Sequence, residues 1–254
     1  MEKVLVVGAS SGVGRALTER LVLNGYIVWG VARRMDLLSD TKKKLGSNFC
    51  FSSCDVSEEK DWLKLVRALN GRKFIPQIVI FCAAILENDL SPEFDTKILK
   101  KIVSINFLGI IIGVEKLLKV VKPNAQFIAI SSSSAFKGSG EEGIGYAASK
   151  AALSIAFESL YLKFKNKIRF KTIFFGPIRT GMNPFTKQTP FVLSEKAAVD
   201  TVIAAISNNK VQYYSPWNVF FAINLAKLLP SFIYLHLLEQ LDQRYHKKFV
   251  KTTL

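Results

Sequence analysis

The chain has 254 residues, 49% of them hydrophobic, and a formal net charge of +15 from 35 basic against 20 acidic side chains. That apolar content excludes a disordered chain, and the length permits one large α/β unit, with no linker that forces a division. The charge implies a surface that attracts anions, whether nucleotide phosphates, acidic lipid headgroups or nucleic acid, but the lysines are scattered and form no recognition helix or aromatic-interleaved basic stripe, so nucleic acid is the weakest of these partners.

The N-terminal apolar run, Val4 to Val7, is short and ends at once in glycine, which argues against a signal peptide and for a chain in the cytosol. Three cysteines, Cys50, Cys54 and Cys82, make an odd set far from both histidines, His236 and His246. They read as structural thiols in a reducing compartment, without a metal.

Apolar, β-branched runs of strand length alternate with segments of helical period. The predicted strands are Val4 to Val7, Ile27 to Val31, Phe49 to Ser52, Ile78 to Phe81, Phe127 to Ile130 and Ile168 to Phe174. They are apolar at nearly every position, as strands of a parallel sheet covered by helices on both faces must be. The first strand runs into Gly8-Ala9-Ser10-Ser11-Gly12-Val13-Gly14, and Val13, Leu17 and Leu21 then mark one face of a helix. A strand, a glycine turn and a helix start in that order form a phosphate cradle. The turn brings backbone close to the anion, and the unpaired N–H groups and helix dipole face it.

Later in the chain, Tyr146 and Lys150 stand four residues apart, one turn along a single helix face. An isolated phenol titrates at about 10, and an adjacent ammonium favours the phenolate, so such a pair can exchange a proton nearer neutral pH. Alone, a Tyr/Lys pair is an ordinary surface feature.

The spacing Gly8-x-x-x-Gly12-x-Gly14, followed in order by a strand-end serine run and by Tyr146-x-x-x-Lys150, resembles the short-chain dehydrogenase/reductase family from about Val4 to Met182. The resemblance implies a Rossmann-type doubly wound sheet and an oxidoreductase that moves a hydride between a nicotinamide dinucleotide and a carbonyl or alcohol. It also implies a homodimer or homotetramer. Within it, Tyr146 is the acid/base group, Lys150 holds ribose and assists the tyrosine, and Asn106 lends a backbone carbonyl to a water relay.

The substrate-binding serine is Ser133, at the family's common spacing of thirteen residues before Tyr146, or Ser132, at the strand end. The cofactor side comprises Gly8, Ser10, Ser11, Gly12, Val13 and Gly14, the Asp55-Val56 adenine pair, and Ala83 and Ala84 after the fourth strand. Ile178 and Thr180 would lie over the nicotinamide. Where the family often places an acid at the end of the second strand, this chain has Ala32 followed by Arg33 and Arg34, and arginine can grip a 2′-phosphate. NADP(H) is therefore expected over NAD(H), through Arg33 first and Arg34 in support.

Three departures stand out: Val7 for the usual threonine, Phe81-Cys82-Ala83-Ala84 for Asn-Asn-Ala-Gly, and Phe175 for the proline before Gly176. The first two remove both partners of a polar bridge between strands, an exchange that can be nearly neutral.

The expected organisation is a core over 1–193 with a helical segment, 194–254, in the same domain. A capped helix begins at Ser194, a short strand follows at Val211 to Tyr214, and the stretch from Trp217 to Leu238 is apolar, interrupted by Lys227 and Pro230. Two amphipathic helices meeting at Pro230 fit better than a membrane span. They would pack on their own core, line a greasy substrate pocket, meet another subunit, or rest on a membrane through 217–254 with its lysines. The resulting reading is an NADP(H)-dependent carbonyl reductase for a hydrophobic, lipid-like substrate; a non-catalytic NADP(H) sensor is the alternative, for which the Tyr/Lys/Ser set has no use.

Overall fold

Strands that are apolar on both faces belong in the middle of three layers, and that is where they lie. A computed structural model describes residues 1–87, 96–136, 143–180, 192–237 and 239–240. Its strands are β1 Lys3–Val7, β2 Ile27–Ala32, β3 Phe49–Ser53, β4 Ile78–Phe81, β5 Gln126–Ser132, β6 Arg169–Phe175 and β7 Gln212–Ser215. All pair in parallel, in the order β3-β2-β1-β4-β5-β6-β7. The helices are α1 Gly12–Leu23, α2 Met35–Leu45, α3 Glu59–Gly71, α4 Thr96–Val103, α5 Gly109–Leu117, α6 Gly143–Lys163, α7 Glu195–Ser207 and α8 Trp217–Leu228.

Alternation along the strands divides the core in two. Leu5, Val7, Trp29, Val31, Phe127 and Phe170 pack with Trp62 of α3, Val114 of α5 and Phe157 of α6. Val4, Val6, Val28, Ile128 and Ile173 pack on the other side with Leu17 and Leu21 of α1, Leu38 of α2 and Val199 and Val202 of α7. The winding reverses between β1 and β4, and such a reversal opens a crevice at the carboxyl ends of the strands.

The predicted strands are found with small shifts of boundary. One shift matters: β5 continues through Ser131 and Ser132, two residues past the apolar run. Beyond residue 193, α7 packs on the sheet and β7 extends it, pairing with β6 from Thr172↔Gln212 to Phe175↔Ser215.

The C-terminal helices depart from the amphipathic expectation. Helix α8 and a further helical stretch over 231–237 flank Pro230 as predicted, but Trp217, Phe220, Phe221, Leu225 and Leu228 of α8 are exposed while Ile223 is buried. At 3.6 residues per turn the five exposed side chains share one face. The reason is position. Helix α8 follows the edge strand, its inner side is met by Gly176 and Tyr214, and none of the described elements covers its outer side. Among the described residues no helix is long and apolar enough to cross a membrane. A run of aromatic rings links this helix to the segment after β5: Phe136 to Phe174 at 4.6 Å, Phe174 to Tyr214 at 5.1 Å and Tyr214 to Phe220 at 5.1 Å between centroids.

One cation sits inside the fold away from the crevice. Lys171 of β6 is buried, and its Nζ donates to the carbonyl of Ala205 at 2.7 Å and to that of Asn208, closing the carboxyl end of α7. Burial, with Arg169 nearby, pushes its ammonium down to about 8. Because the folded value lies below the unfolded one, folding opposes the proton that the unfolded chain still holds between those values. Stability from this group therefore rises as pH increases from about 8 toward 10.5, and is lowest below 8. Urea unfolding of wild type and Lys171→Met at about pH 7 and about pH 10 should show a rise in wild type, on the order of 2–3 kcal/mol larger than in the variant. Equal pH slopes would assign the penalty elsewhere.

Candidate active site

The crevice is built around the turn that ends β1. Gly8 has φ +92°, and its N–H and that of Ala9 both donate to the carbonyl of Val31, at 2.8 and 3.1 Å, which ties the turn to the end of β2. A Cβ on Gly8 would stand 2.5 Å from the amide nitrogen of Ala83, and one on Gly14 would stand 2.1 Å from the Gly8 carbonyl oxygen. No side chain fits at either place. Helix α1 therefore starts hard against the sheet, and its first residues line the crevice with their unpaired N–H groups.

The crevice encloses about 690 Å³. It is lined by Gly8, Ser10, Ser11, Gly12, Val13 and Gly14 of the turn, by Arg33, Arg34, Asp55 and Val56 beyond β2 and β3, and by Ala83 and Ala84 beyond β4. Ser132, Tyr146, Lys150, Ile178 and Thr180 complete it. Two predicted residues, Ser133 and Asn106, are not among its lining.

The serine alternatives separate because β5 keeps its extended course through Ser132 and then tightens into a short 3₁₀ turn over Ser133–Ala135. Ser132 stays at the crevice, its hydroxyl accepting from the Ser134 amide at 3.2 Å; Ser133 is carried away from it. Of the two alternatives, Ser132 is the one that lines the crevice. Ser131 also lines the crevice, but its hydroxyl turns back to Ser154 at 2.8 Å.

Lys150 is 3% exposed. Its Nζ donates to the carbonyl of Ile130 at 2.8 Å and lies 5.7 Å from the centre of the Tyr146 ring, so both predicted groups of α6 face the same space. Asn106 is fully buried in a π-helical segment, Ser104–Leu108, between α4 and α5. Its side chain clasps Ile85, accepting from the amide at 2.8 Å and donating to the carbonyl at 2.9 Å, and it also donates to Ser149 at 3.2 Å. Ser149 in turn donates to the Tyr146 carbonyl at 2.8 Å. Asn106 thereby ties the β4 end to the tyrosine helix, a function of its side chain that sequence spacing did not reveal.

The two arginines lean in different directions. Arg34 donates to the hydroxyls of both Ser10 and Ser11, at 3.0 and 2.5 Å, so it leans over the glycine turn. Arg33 faces Asp55 at 3.7 Å. Asp55 itself closes a tight turn, accepting from the Ser57 amide and hydroxyl at 3.0 and 2.7 Å. Its own amide donates to Asp61, a bond that, with Lys64, holds the Asp61 carboxyl below its ordinary value.

Several lining residues were not expected at the site: Ile85, Leu86, Glu87 and Ile105 carry no motif, Cys54 reads only as a structural thiol, and Cys82 and Phe175 stand where the chain departs from the family pattern. Ile85 to Glu87 simply continue the chain past Ala84. Burial pushes the Cys82 thiol up to about 12, against the pull of Lys150, so it stands in the crevice as a neutral, compact side chain. Val7 and Cys82 still share the backbone bond between β1 and β4, Cys82 N–H to Val7 carbonyl at 2.8 Å, which is why losing the family's polar bridge leaves the strands joined. Among the described residues, those from 217 to 237 are not part of this lining.

A family model described as short chain dehydrogenase matches residues 2–190. The chain belongs to the short-chain dehydrogenase/reductase family. It is accordingly an oxidoreductase, and a relative from Myxococcus xanthus, called an uncharacterized oxidoreductase, is 26% identical over 236 residues, spanning 89% of this chain and 92% of the relative. A mouse 3-oxoacyl-[acyl-carrier-protein] reductase is 26% identical over 194 residues, covering 75% and 82%. Among solved structures, serine dehydrogenase complexed with NADP+ has the same fold, with a TM-score of 0.75 at 19% identity over 84% of this chain and 93% of that one.

A nicotinamide dinucleotide, the cofactor this family implies, suits the crevice: the two glycine positions have no room for a Cβ, and two guanidinium groups stand at one end. The close approach at Gly14 can be tested directly. Gly14→Ala should cost roughly 1–3 kcal/mol in thermal or urea unfolding and weaken dinucleotide binding, because its methyl group must displace backbone. Gly71→Ala, where nothing lies within 4 Å, serves as the control and should leave both unchanged.

Proposed function

We propose that this dehydrogenase uses NADP(H) to reduce the carbonyl of a hydrophobic substrate, or to oxidise the matching alcohol, with Tyr146, Lys150 and Ser132 as its catalytic residues. The observation that carries the reading is the meeting of these three side chains with the glycine turn and the strand-end arginines along one crevice. Nicotinamide supplies or accepts the hydride when it is bound. In the reducing direction Tyr146 gives its phenolic proton to the carbonyl oxygen, and in the reverse direction it takes the proton back. Ser132 donates a hydrogen bond to the same oxygen and holds it toward the phenol. The Lys150 ammonium stabilises the phenolate left behind, and its fixed bond to Ile130 keeps it in place. Asn106 acts as a positioning residue through Ser149 and Ile85.

Cofactor preference rests on the strand-end cations. Arg34, with the Ser10 and Ser11 hydroxyls it already touches, forms a cluster of donors that suits a 2′-phosphate, and Arg33 adds charge beside it. Support for an apolar substrate comes from Ile85, Leu86 and Ile178 in the wall, and from the mouse relative, by name a reductase of 3-oxoacyl groups.

Two experiments test this reading. Turnover on carbonyl compounds of increasing apolar chain length, followed by NADPH absorbance, should rise with length. It should fall roughly 10²–10⁴-fold in Tyr146→Phe, with a clear loss in Ser132→Ala and little in Ser133→Ala. Wild-type turnover in Tyr146→Phe would overturn the assignment. Titration of both cofactors should show tighter NADPH than NADH binding, with the difference reduced about ten- to a hundredfold in Arg34→Ala and less in Arg33→Ala. Equal affinity of the wild type for the two cofactors would remove the NADP(H) preference.

A further inference from the structure

The outer face of α8 carries side chains that water does not suit. Trp217 is 75% exposed, Phe221 61%, Leu225 63% and Leu228 82%, and beyond Pro230 Phe232 is 73% exposed. Soluble proteins seldom leave so many adjacent large apolar groups uncovered without an interaction to bury them.

The sequence from this helix to the end is predominantly basic. From Trp217 to Leu238 the sequence contains no aspartate or glutamate and includes Lys227, and from 239 to 254 it carries Arg244, Lys247, Lys248 and Lys251 against Glu239 and Asp242. We propose that this face docks on a bilayer bearing anionic phospholipid, with α8 lying in the plane of the interface. The length fits: twelve residues of helix reach roughly 18 Å, well short of a hydrocarbon core about 30 Å thick. The composition fits as well. Trp217 stands at the start of the helix and Tyr234 beyond its end, and such amphipathic rings favour the headgroup boundary.

A second copy of the chain would also cover the apolar side chains, but it would set a net charge of +15 against an equal one. An anionic surface converts the same charge into attraction. The face also stands at the crevice end of the sheet, since Val219 of α8 packs against Gly176, whose neighbours Phe175 and Pro177 line the crevice.

The test uses the full chain and vesicles of phosphatidylcholine with or without phosphatidylserine, at low and high salt. Wild type should sediment with the phosphatidylserine vesicles, less so at high salt, and its tryptophan emission should shift to the blue. Because Trp29 and Trp62 are buried in the core, that shift reports Trp217. The variant Phe221→Ser, Leu225→Ser and Leu228→Ser changes only exposed positions, so its melting temperature and turnover should be retained while vesicle partitioning falls roughly tenfold or more. The proposal is overturned if wild type fails to bind the anionic vesicles at low salt, or if the triple variant binds them equally well. It is overturned too if lipid-free wild type is an oligomer that the triple variant dissociates, which would give this face to a second copy.

Discussion

The backbone approach between the Gly8 turn and the chain leaving β4 sets the geometry of the whole crevice. A single added carbon at Gly8 or Gly14 would meet backbone atoms at 2.5 or 2.1 Å. That closeness lets α1 begin directly over the reversal between β1 and β4. Its free amides and dipole then point where β2, β3 and β4 deliver Arg34, Asp55 and Ala83. On the other side of the same reversal, β5 ends in Ser132 and α6 brings Tyr146 and Lys150. The end that carries the glycine turn and the arginines and the end that carries Tyr146 and Lys150 are thus two sides of one contact between main chains.

The two buried lysines show how position decides what a cation does. Both satisfy an ammonium with main-chain carbonyl oxygen, as burial demands. Lys171 closes a helix end on the far face of the sheet, where burial strips part of its hold on the proton. Lys150 is pinned to Ile130 at the crevice wall, beside Tyr146 and Cys82, where its charge reaches groups that a ligand would touch.

Much of this could be read from the sequence because it depends on local order. The parallel sheet follows from strands apolar at nearly every position, the phosphate cradle from glycines between a strand and a helix, and the Tyr146–Lys150 pair from one helical turn. What escaped depends on how a strand ends. Whether Ser132 or Ser133 reaches the crevice turns on where β5 gives way to a 3₁₀ turn, and counting back from Tyr146 cannot detect that. Arg33 and Arg34 are adjacent, so only the direction of the chain leaving β2 determines which leans over the serines. The clasp of Asn106 on Ile85 joins segments 21 residues apart and leaves no periodic trace. In α8 the apolar spacing was plain, but spacing cannot say whether the apolar side meets the core or the outside.

The aromatic run from Phe136 through Phe174 and Tyr214 to Phe220 joins the residues just after Ser132 to the outer helix. Rings in contact make a stiff connection, because shifting one requires its neighbours to repack. Whatever settles on α8 and moves Phe220 would press, through these rings, on the segment that holds Ser132. Such influence cannot run one way. If an occupant of the outer face changes how firmly a ligand is held in the crevice, the ligand must change the hold on that occupant by the same factor. Loading the enzyme would then regulate where it resides, as much as its residence regulates loading.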